Sequence, residues 1–296
     1  MKPLTLILIL FLSVLTACGA APPDAAAVPI IDPDVDPAGW AVIPAGEYLE
    51  GQFDHEAEVA YDYEVMITNA TNAQYADFLN TALAAGEITF DGNAITGFYP
   101  GDAFGGHKHE MEIAAGNWEL VPVADPASRL RFGGTTFTVL PGYENHPMTM
   151  VSWFGAWSYC QAYDGRLPTD AEWEKAARGN DTRPFPWGDE IDESSANFSN
   201  SHDPFETTSK TTPVGFYNGT TYDGYTTIDA SSPYGIYDMA GNVWEWTGDV
   251  HKGTHNRSLR GGSYTNYAYD LRIWSHNNAG PEHVSPSVGF RCARDS

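Results

Sequence analysis

The chain has 296 residues with 39 acidic and 15 basic side chains, and its formal net charge is −24. This balance argues against nucleic acid as a partner, because nucleic-acid-binding proteins need a basic footprint for the phosphates. The length allows one large domain or two small ones, and 29 glycines, 20 prolines and 13% aromatic residues are typical of a loop-rich chain.

The N-terminus predicts export. After Lys2, an apolar run at residues 4–15 has the length of a signal-peptide core and is shorter than the about 20 residues that span a bilayer. The run ends in LTAC at residues 15–18, a lipobox pattern in which cleavage precedes Cys18 and its sulfur carries lipid. The alternative is an ordinary secretory signal cut near residue 20. We expect a protein lipid-anchored to the cell membrane or outer membrane, with its domain outside the cytoplasm.

These features divide the chain into three parts. Residues 1–17 form the lipoprotein signal peptide. Residues 18–38 carry the lipidated cysteine and a stretch rich in Ala, Pro and Asp, which predicts a flexible tether. Residues 39–296 form one domain, because neither an internal repeat nor a second linker is present in the sequence.

The first half of the domain predicts short strands and one helix. Residues 40–52 have the pattern of a β-hairpin around Pro44, and further strands are expected at 64–67, 118–121 and 135–140. Thr71 and Gln74 form a capping box before a helix that ends at Gly86. The intervening cluster of His107, His109 and Glu110 has ligand types for a transition metal, although its Gly-rich surroundings favour a solvated loop.

Two further helices are predicted in the second half. One is capped by Ser152, and the other begins with the capping box of Thr169 and Glu172 and ends at Gly179. Between Trp187 and Pro233 regular structure largely disappears. Irregular backbone needs other partners for its polar groups, so bound ions are a natural expectation here.

The cysteine count also carries information. With Cys18 assigned to the lipid, Cys160 and Cys292 remain, and an even pair in an oxidising compartment predicts a disulfide. Two buried free thiols are the alternative.

Four ordered strings are more specific. They are RLPTDAEWEKAARG at 166–179, PWG at 186–188, YGIYDMAGNVWEW at 234–246, and GGSY at 261–264 followed by VGFRC at 288–292. Together they closely resemble the formylglycine-generating enzyme family, the sulfatase-modifying factors, across residues 39–296. The resemblance implies a single loop-rich α+β domain related to the C-type lectin fold. It also implies that Cys160 pairs with Cys292.

The resemblance breaks at the catalytic metal. Family enzymes oxidise a substrate cysteine with copper held by two thiolates, which suit Cu(I). The corresponding positions here are Asn266 and Leu271, and neither is a useful ligand for Cu(I). Ser263 remains and is expected to line the equivalent pocket. We therefore expect that this chain does not generate formylglycine by the copper route.

Calcium is the cofactor that the resemblance favours. Two sites of oxygen ligands are implied, with structural roles. The first comprises the Asn197 and Asp203 side chains with the Phe198 and Phe205 carbonyls. The second comprises the Asp238 and Glu245 carboxylates with the Gly241 and Val243 carbonyls. Residues 217–232 look like an insertion beside the second site. The alternative for Asp238 and Glu245 is ordinary capping and a surface carboxylate.

Two functions remain open. The first is a binding or accessory role at the cell envelope, with an exported protein, peptide or glycan as partner. The second is an oxidoreductase with another metal or mechanism, which would draw on His251, His255, His276 and His283. A metal site would require at least three of these to converge. Some branches of the family also lack the copper cysteines. The sulfoxide synthases of ergothioneine biosynthesis need an extra helical domain, for which this chain has no room. The periplasmic proteins of pyoverdine maturation are exported, as this chain is expected to be.

Overall fold

The computed structural model describes residues 27–103, 112–251 and 254–296. The predicted loop-rich, mixed domain is confirmed. The helices of the described residues are α1 (Asn72–Ala85), α2 (Trp153–Ala162) and α3 (Asp170–Arg178). The strands are β1 (Trp40–Ile43), β2 (Gly46–Glu50), β3 (His55–Val59), β4 (Tyr63–Met66), β5 (Ile88–Phe90), β6 (Ile95–Tyr99), β7 (Gly116–Val121), β8 (Leu130–Phe132), β9 (Phe137–Val139), β10 (Thr221–Tyr222), β11 (Tyr225–Thr226), β12 (Trp244–Val250), β13 (Arg257–Arg260), β14 (His276–Ala279), β15 (Val288–Phe290) and β16 (Ala293–Asp295).

Some predictions concern residues beyond this description. Cys18 and the cluster of His107, His109 and Glu110 lie outside the described residues. In the part of the chain that is described, no helix combines the length and the apolar content needed to span a bilayer.

All three helices begin where their caps predict. The hydroxyls of Thr71 and Thr169 accept from backbone amides in the first turn, and Gln74 and Glu172 return the bond to complete two capping boxes. Ser152 caps α2 in the same way, without the reciprocal bond. These contacts satisfy amides that a helix leaves free at its start, which is why short polar motifs located the helices so well.

The hairpin predicted around Pro44 is wrong. β1 pairs with β4, so that Ile43 lies opposite Tyr63, and β2 pairs with β3 instead. The ammonium of Lys175 in α3 donates to the carbonyls of Pro44 and Gly46 at 2.7 and 2.8 Å. The turn between β1 and β2 is therefore held by a helix side chain, and the two strands join different sheets.

Charged side chains of α3 also position the β2–β3 hairpin. Arg178 is fully buried and donates to the carbonyls of Leu49 at 2.7 Å and Gly51 at 2.9 Å. Glu174 accepts the Gly51 amide proton at 2.6 Å. Because the backbone of this turn has few partners of its own, these side chains fix residues 49–55 against α3.

The largest sheet has the strand order β14–β13–β12–β15, in which β12 and β15 are parallel. The Cys160–Cys292 disulfide joins α2 to the chain directly after β15, which confirms the predicted pairing. Tyr159 and Phe290 pack beside it with ring centroids 5.3 Å apart. This arrangement anchors the sheet that carries the C-terminal loops.

Residues 28–38, placed in the tether by composition, lie along the domain. Val28 and Ile31 pack against an aromatic cluster that includes Phe216. The Asn218 amide donates to the Pro33 carbonyl at 2.8 Å. The structured domain thus begins ahead of residue 39, because two apolar side chains in an otherwise polar stretch find a place among buried rings.

Candidate functional site

The Gly-Gly-Ser motif forms the turn after β13. Gly261 and Gly262 have φ angles of 89° and 74°, which favour glycine. A Cβ atom on Gly262 would lie 2.9 Å from the side chain of Leu271 and 3.2 Å from the carbonyl oxygen of Asp270. The glycines therefore let the turn pack directly against residues 270–271. This contact brings together the two ends of the segment that contains Asn266 and Leu271, the positions that correspond to the copper cysteines.

Asn266 is fixed by its neighbours. Its side-chain oxygen accepts from the Ser263 hydroxyl at 2.7 Å and from the Ser263 amide at 3.1 Å. Its amide nitrogen donates to Asp270 at 3.1 Å. The side chain that replaces the first copper cysteine is thus an oriented amide, which is suited to hydrogen bonding rather than to Cu(I).

Leu271 and Ser263 both lie away from solvent. Leu271 is fully buried in an apolar cluster with Phe185 and Phe198. Ser263 is also fully buried and does not line the neighbouring cavity, contrary to the sequence expectation. Its hydroxyl is turned inward because it bonds Asn266 and Thr265.

A recess of about 300 Å³ opens beside Asn266, and we call it the C-terminal recess. Its lining combines aromatic rings with amide, hydroxyl and carboxylate groups. The residues are Gln52, Trp244, Asn266, Tyr269, Asp270, Trp274, Ser275, His276 and Asn277. Concave sites with ring faces and a few oriented polar groups are typical binding sites for ligands.

The recess continues into a larger depression of about 670 Å³, the acidic trough. The two share Gln52, Trp274 and His276. The trough is further lined by Glu50, Gly51, Phe53, His55, Asp170, Glu174, Asp249, Val250, His251, Ser258 and Arg260. Because Arg260 is paired with Glu174, the trough keeps a surplus of carboxylates.

The β2–β3 turn borders this site, which the sequence analysis did not predict. Gln52, Phe53 and His55 reach it because α3 fixes their backbone. Phe53 remains 77% exposed although it is a large apolar residue in a polar turn. That apolar residue between glycine, glutamine and aspartate was the one available signal. Trp274 is held from behind by the Arg178 guanidinium, 5.2 Å from the ring centroid.

The four C-terminal histidines separate. His251 and His276 line the trough together with His55. His255 lies beside Gly280, and His283 is exposed. Across residues 27–103, 112–251 and 254–296, no group of three His, Cys, Asp or Glu side chains is placed to hold a metal ion.

The second predicted calcium set surrounds a backbone of unusual geometry. Asp238, Gly241 and Asn242 have φ angles of 58°, 87° and 60°. Asp238 accepts the Gly215 amide proton at 2.7 Å, and burial raises the pKa of its carboxyl to about 6. The buried carbonyls of Gly241 and Val243 accept no hydrogen bond within the described residues. One carboxylate and two carbonyls without a protein donor are oxygen ligands of the kind calcium prefers, and they supply three of the about six to eight that it takes.

Glu245, the fourth member of that set, is committed elsewhere. It is fully buried and forms an ion pair with Arg291, with two contacts of 2.7 Å. Trp173 donates to one carboxylate oxygen at 2.7 Å and Asn69 donates to the other at 2.9 Å. With these donors in place, the carboxylate has no further lone pair directed at an ion.

The first predicted calcium set is satisfied by protein groups. Asp203 accepts from the Ser201 hydroxyl at 2.7 Å and from the Phe205 amide at 2.8 Å, and burial raises its pKa. The Phe198 carbonyl accepts the Ser201 amide, the Phe205 carbonyl accepts the Thr208 and Lys210 amides, and the Asn197 amide donates to the Lys210 carbonyl. The insertion contributes here, because the Tyr217 hydroxyl lies 3.4 Å from Asp203. These contacts leave this set a poor fit for calcium.

Comparisons with known proteins agree with this geometry. The model of the sulfatase-modifying factor enzyme 1-like domain matches residues 28–296. The formylglycine-generating enzyme of Bos taurus is 30% identical over 292 residues, which cover 88% of this chain and 75% of that enzyme. The serine/threonine-protein kinase pkn1 of Chlamydia caviae is 36% identical over 196 residues, which cover 60% of this chain and 28% of the kinase. This chain therefore spans less than a third of the kinase.

A solved structure supports the same fold. PvdO from Pseudomonas aeruginosa matches with a TM-score of 0.54 and 20% identity, covering 87% of this chain and 94% of PvdO. Fold and site together define a sheet-rich, loop-dominated domain of the formylglycine-generating enzyme type. The chain belongs to the sulfatase-modifying factor family.

Proposed function

We propose that this chain is an exported, lipid-anchored member of the family that binds a partner and does not generate formylglycine through copper. The observation that carries the proposal is Asn266, whose amide is oriented by Ser263 and Asp270 at the wall of the C-terminal recess. The other copper position, Leu271, is buried among apolar side chains. At the two positions that correspond to the copper thiolates, this chain has a hydrogen-bonding amide, Asn266, and a buried apolar side chain, Leu271.

The recess has the chemistry of a recognition surface. Tyr269 is 63% exposed with the Arg272 guanidinium 4.9 Å from its ring centroid, and Trp274 is braced by Arg178, so that both rings share the recess wall with the amide of Asn266. Rigid aromatic side chains beside a few polar groups provide contact area at low entropic cost. A segment of an exported protein, a peptide or a glycan fits this description.

Export and anchoring are proposed from the lipobox at Cys18. Calcium is proposed as a structural cofactor at Asp238, where it would occupy the carbonyls of Gly241 and Val243. Bound there, the ion would hold the loop before β12, which carries Trp244 of the recess.

The first test is elemental analysis of the exported, dialysed full-length chain, followed by incubation with Cu(I) and a cysteine-containing peptide. We expect calcium at about one ion per chain, no retained copper and an unchanged peptide mass. Copper that survives dialysis, together with oxidation of the peptide cysteine, would overturn the proposal.

The binding role has its own test. A photoreactive amino acid at Tyr269 should crosslink a defined exported partner in intact cells. In the matched control the photoreactive amino acid replaces Phe98, an exposed aromatic residue remote in sequence from the recess. Crosslinking that is equal at both positions would argue against recognition at the recess.

An oxidoreductase with another metal is the second candidate. It would draw on His251 and His276, which line the trough together with His55 but form no three-ligand metal group among the described residues. Stoichiometric iron in the elemental analysis, lost in a His251→Ala/His276→Ala variant, would support it over the binding role.

A further inference from the structure

A separate cavity of about 790 Å³ adjoins the trough, and Asp249 lines both. We call it the aromatic cavity. Tyr99 from β6 and Trp157 from α2 provide ring surfaces, and their centroids lie 5.0 Å apart in an edge-on contact. Arg166, which is paired with Glu172, and Arg257 also line this cavity. The motifs that identify the family include only one of these residues, Arg166.

Arg257 is a buried, preorganised donor. Its side chain is 2% exposed, pairs with Asp102 and lies over the Trp153 ring with 4.0 Å from Cζ to the centroid. Its Nε atom has no hydrogen-bond partner in the described residues. That Nε atom is itself enclosed, so a ligand in the cavity can reach only the rest of the guanidinium, whose position is fixed by Asp102 and the Trp153 ring.

Carboxylates supply the complementary acceptors. Asp249 lies at the cavity wall and accepts the Asp170 amide at 2.5 Å. Asp62 also lines the cavity and accepts the Ala45 amide at 2.7 Å. These backbone bonds fix both carboxylates while leaving further lone pairs for a ligand.

We propose that the aromatic cavity is a saccharide-binding site that uses Trp157, Asp249 and Arg257. Sugar hydroxyls both donate and accept, so they pair with carboxylates and guanidinium groups in one site. The apolar face of a sugar ring packs on an aromatic ring such as Trp157. The cavity volume is within the range of about 300–1,000 Å³ found for small-ligand sites.

The charges of the cavity argue against an anionic ligand. The guanidinium groups of Arg166 and Arg257 are already paired, with Glu172 and Asp295 and with Asp102 respectively, whereas Asp62 and Asp249 have no cationic partner in the part of the chain that the structure describes. A polyhydroxyl compound avoids repulsion by these carboxylates and can donate hydrogen bonds to them. This site is independent of the recess at Asn266, and its ligand is independent of calcium.

The test is calorimetric titration of the full-length exported protein with cellohexaose, xylohexaose and chitohexaose, each in the presence of EDTA. We expect saturable binding of at least one of them. Asp249→Asn and Trp157→Phe should each weaken that binding about tenfold or more, with unchanged thermal unfolding as the check on folding. Phe98→Ser is the matched surface control and should bind as the parent does.

Three outcomes would overturn the proposal. One is the absence of binding for all three oligosaccharides. Another is binding that Asp249→Asn and Trp157→Phe leave intact. The third is binding lost in Tyr269→Ala, which would move the saccharide to the C-terminal recess. Failure of the copper and crosslinking tests would leave these results unaffected, so the two proposals are tested separately.

Discussion

Arg291 holds Glu245 in a wholly buried, two-point ion pair, with Nη2 donating to Oε1 and Nε donating to Oε2 at 2.7 Å each. Nη1 donates to the carbonyl of Met66 at 3.1 Å, and Nη2 donates also to the carbonyl of Tyr237 at 2.8 Å. The pair thus ties β12 to the chain after β15 and to the end of β4. The family resemblance implies that Glu245 binds calcium. In this structure its carboxylate instead accepts hydrogen bonds from buried protein groups.

Removing that carboxylate should be costly. In Glu245→Gln, Arg291 keeps its buried charge without an anionic partner, and we expect a loss of about 3–5 kcal/mol in the free energy of unfolding. Urea denaturation measures the change. The control is Asp181→Asn, which breaks the exposed pair with Arg183 and should cost less than about 1 kcal/mol. Equal losses in the two variants would mean that the buried pair has no special structural weight.

Calcium should depend on Asp238 and not on Asp203. Calcium at about 100 times its dissociation constant should stabilise the parent by about 2.7 kcal/mol relative to EDTA. Asp238→Asn should abolish this difference, because it removes the carboxylate beside the orphaned carbonyls of Gly241 and Val243. Asp203→Asn should retain it, since Ser201 and Phe205 already satisfy Asp203. Thermal unfolding of the parent and the two variants, with calcium and with EDTA, measures this stabilisation. Stabilisation that is lost in Asp203→Asn and kept in Asp238→Asn would place calcium at the first set.

The sequence predicted local structure better than the site. The caps at Thr71, Ser152 and Thr169 lie a few residues from the amides they satisfy, so their signals are contained in short strings. The turn at Pro44 was misjudged because its partner, Lys175, is 131 residues away.

The geometry of the site depends on contacts between residues far apart in the sequence, which short motifs do not reveal. The predicted disulfide was confirmed, since few cysteines leave few pairings. Ser263 was expected at the pocket wall, and its burial depends on the hydroxyl bond to Asn266, which the motif does not encode. Phe53 joins the trough only because Arg178 binds the hairpin backbone.

His146 should make stability depend on pH. It is buried, its Nδ1 lies 2.9 Å from the Thr211 hydroxyl, and burial lowers its pKa from 6.5 to about 3. Between these values the unfolded chain binds a proton that the folded chain does not. The stability contributed by neutral His146 is therefore fully present above pH 6.5 and is lost as the pH falls toward 3.

His146→Gln isolates this effect. The unfolding free energy of the parent minus that of the variant should fall by up to about 1.4 kcal/mol per pH unit between about pH 6 and pH 4. Asp238, whose pKa is raised to about 6, acts with the opposite sign, and it is present in both proteins and cancels in the difference. A pH-independent difference would show that His146 becomes charged without cost in the folded state.

The Cys160–Cys292 disulfide should contribute strongly to stability. It joins residues separated by 132 positions, and the chain-entropy model assigns such a loop about 4–5 kcal/mol. Cys160→Ser/Cys292→Ser should therefore unfold at a much lower urea concentration than the parent, and the reduced parent should behave like the variant. Cys18→Ser, which changes the one other cysteine in the chain, is the matched control and should leave the midpoint unchanged. If reduction leaves the midpoint of the parent unaltered, packing around Tyr159 and Phe290 holds α2 to the sheet without the covalent bond.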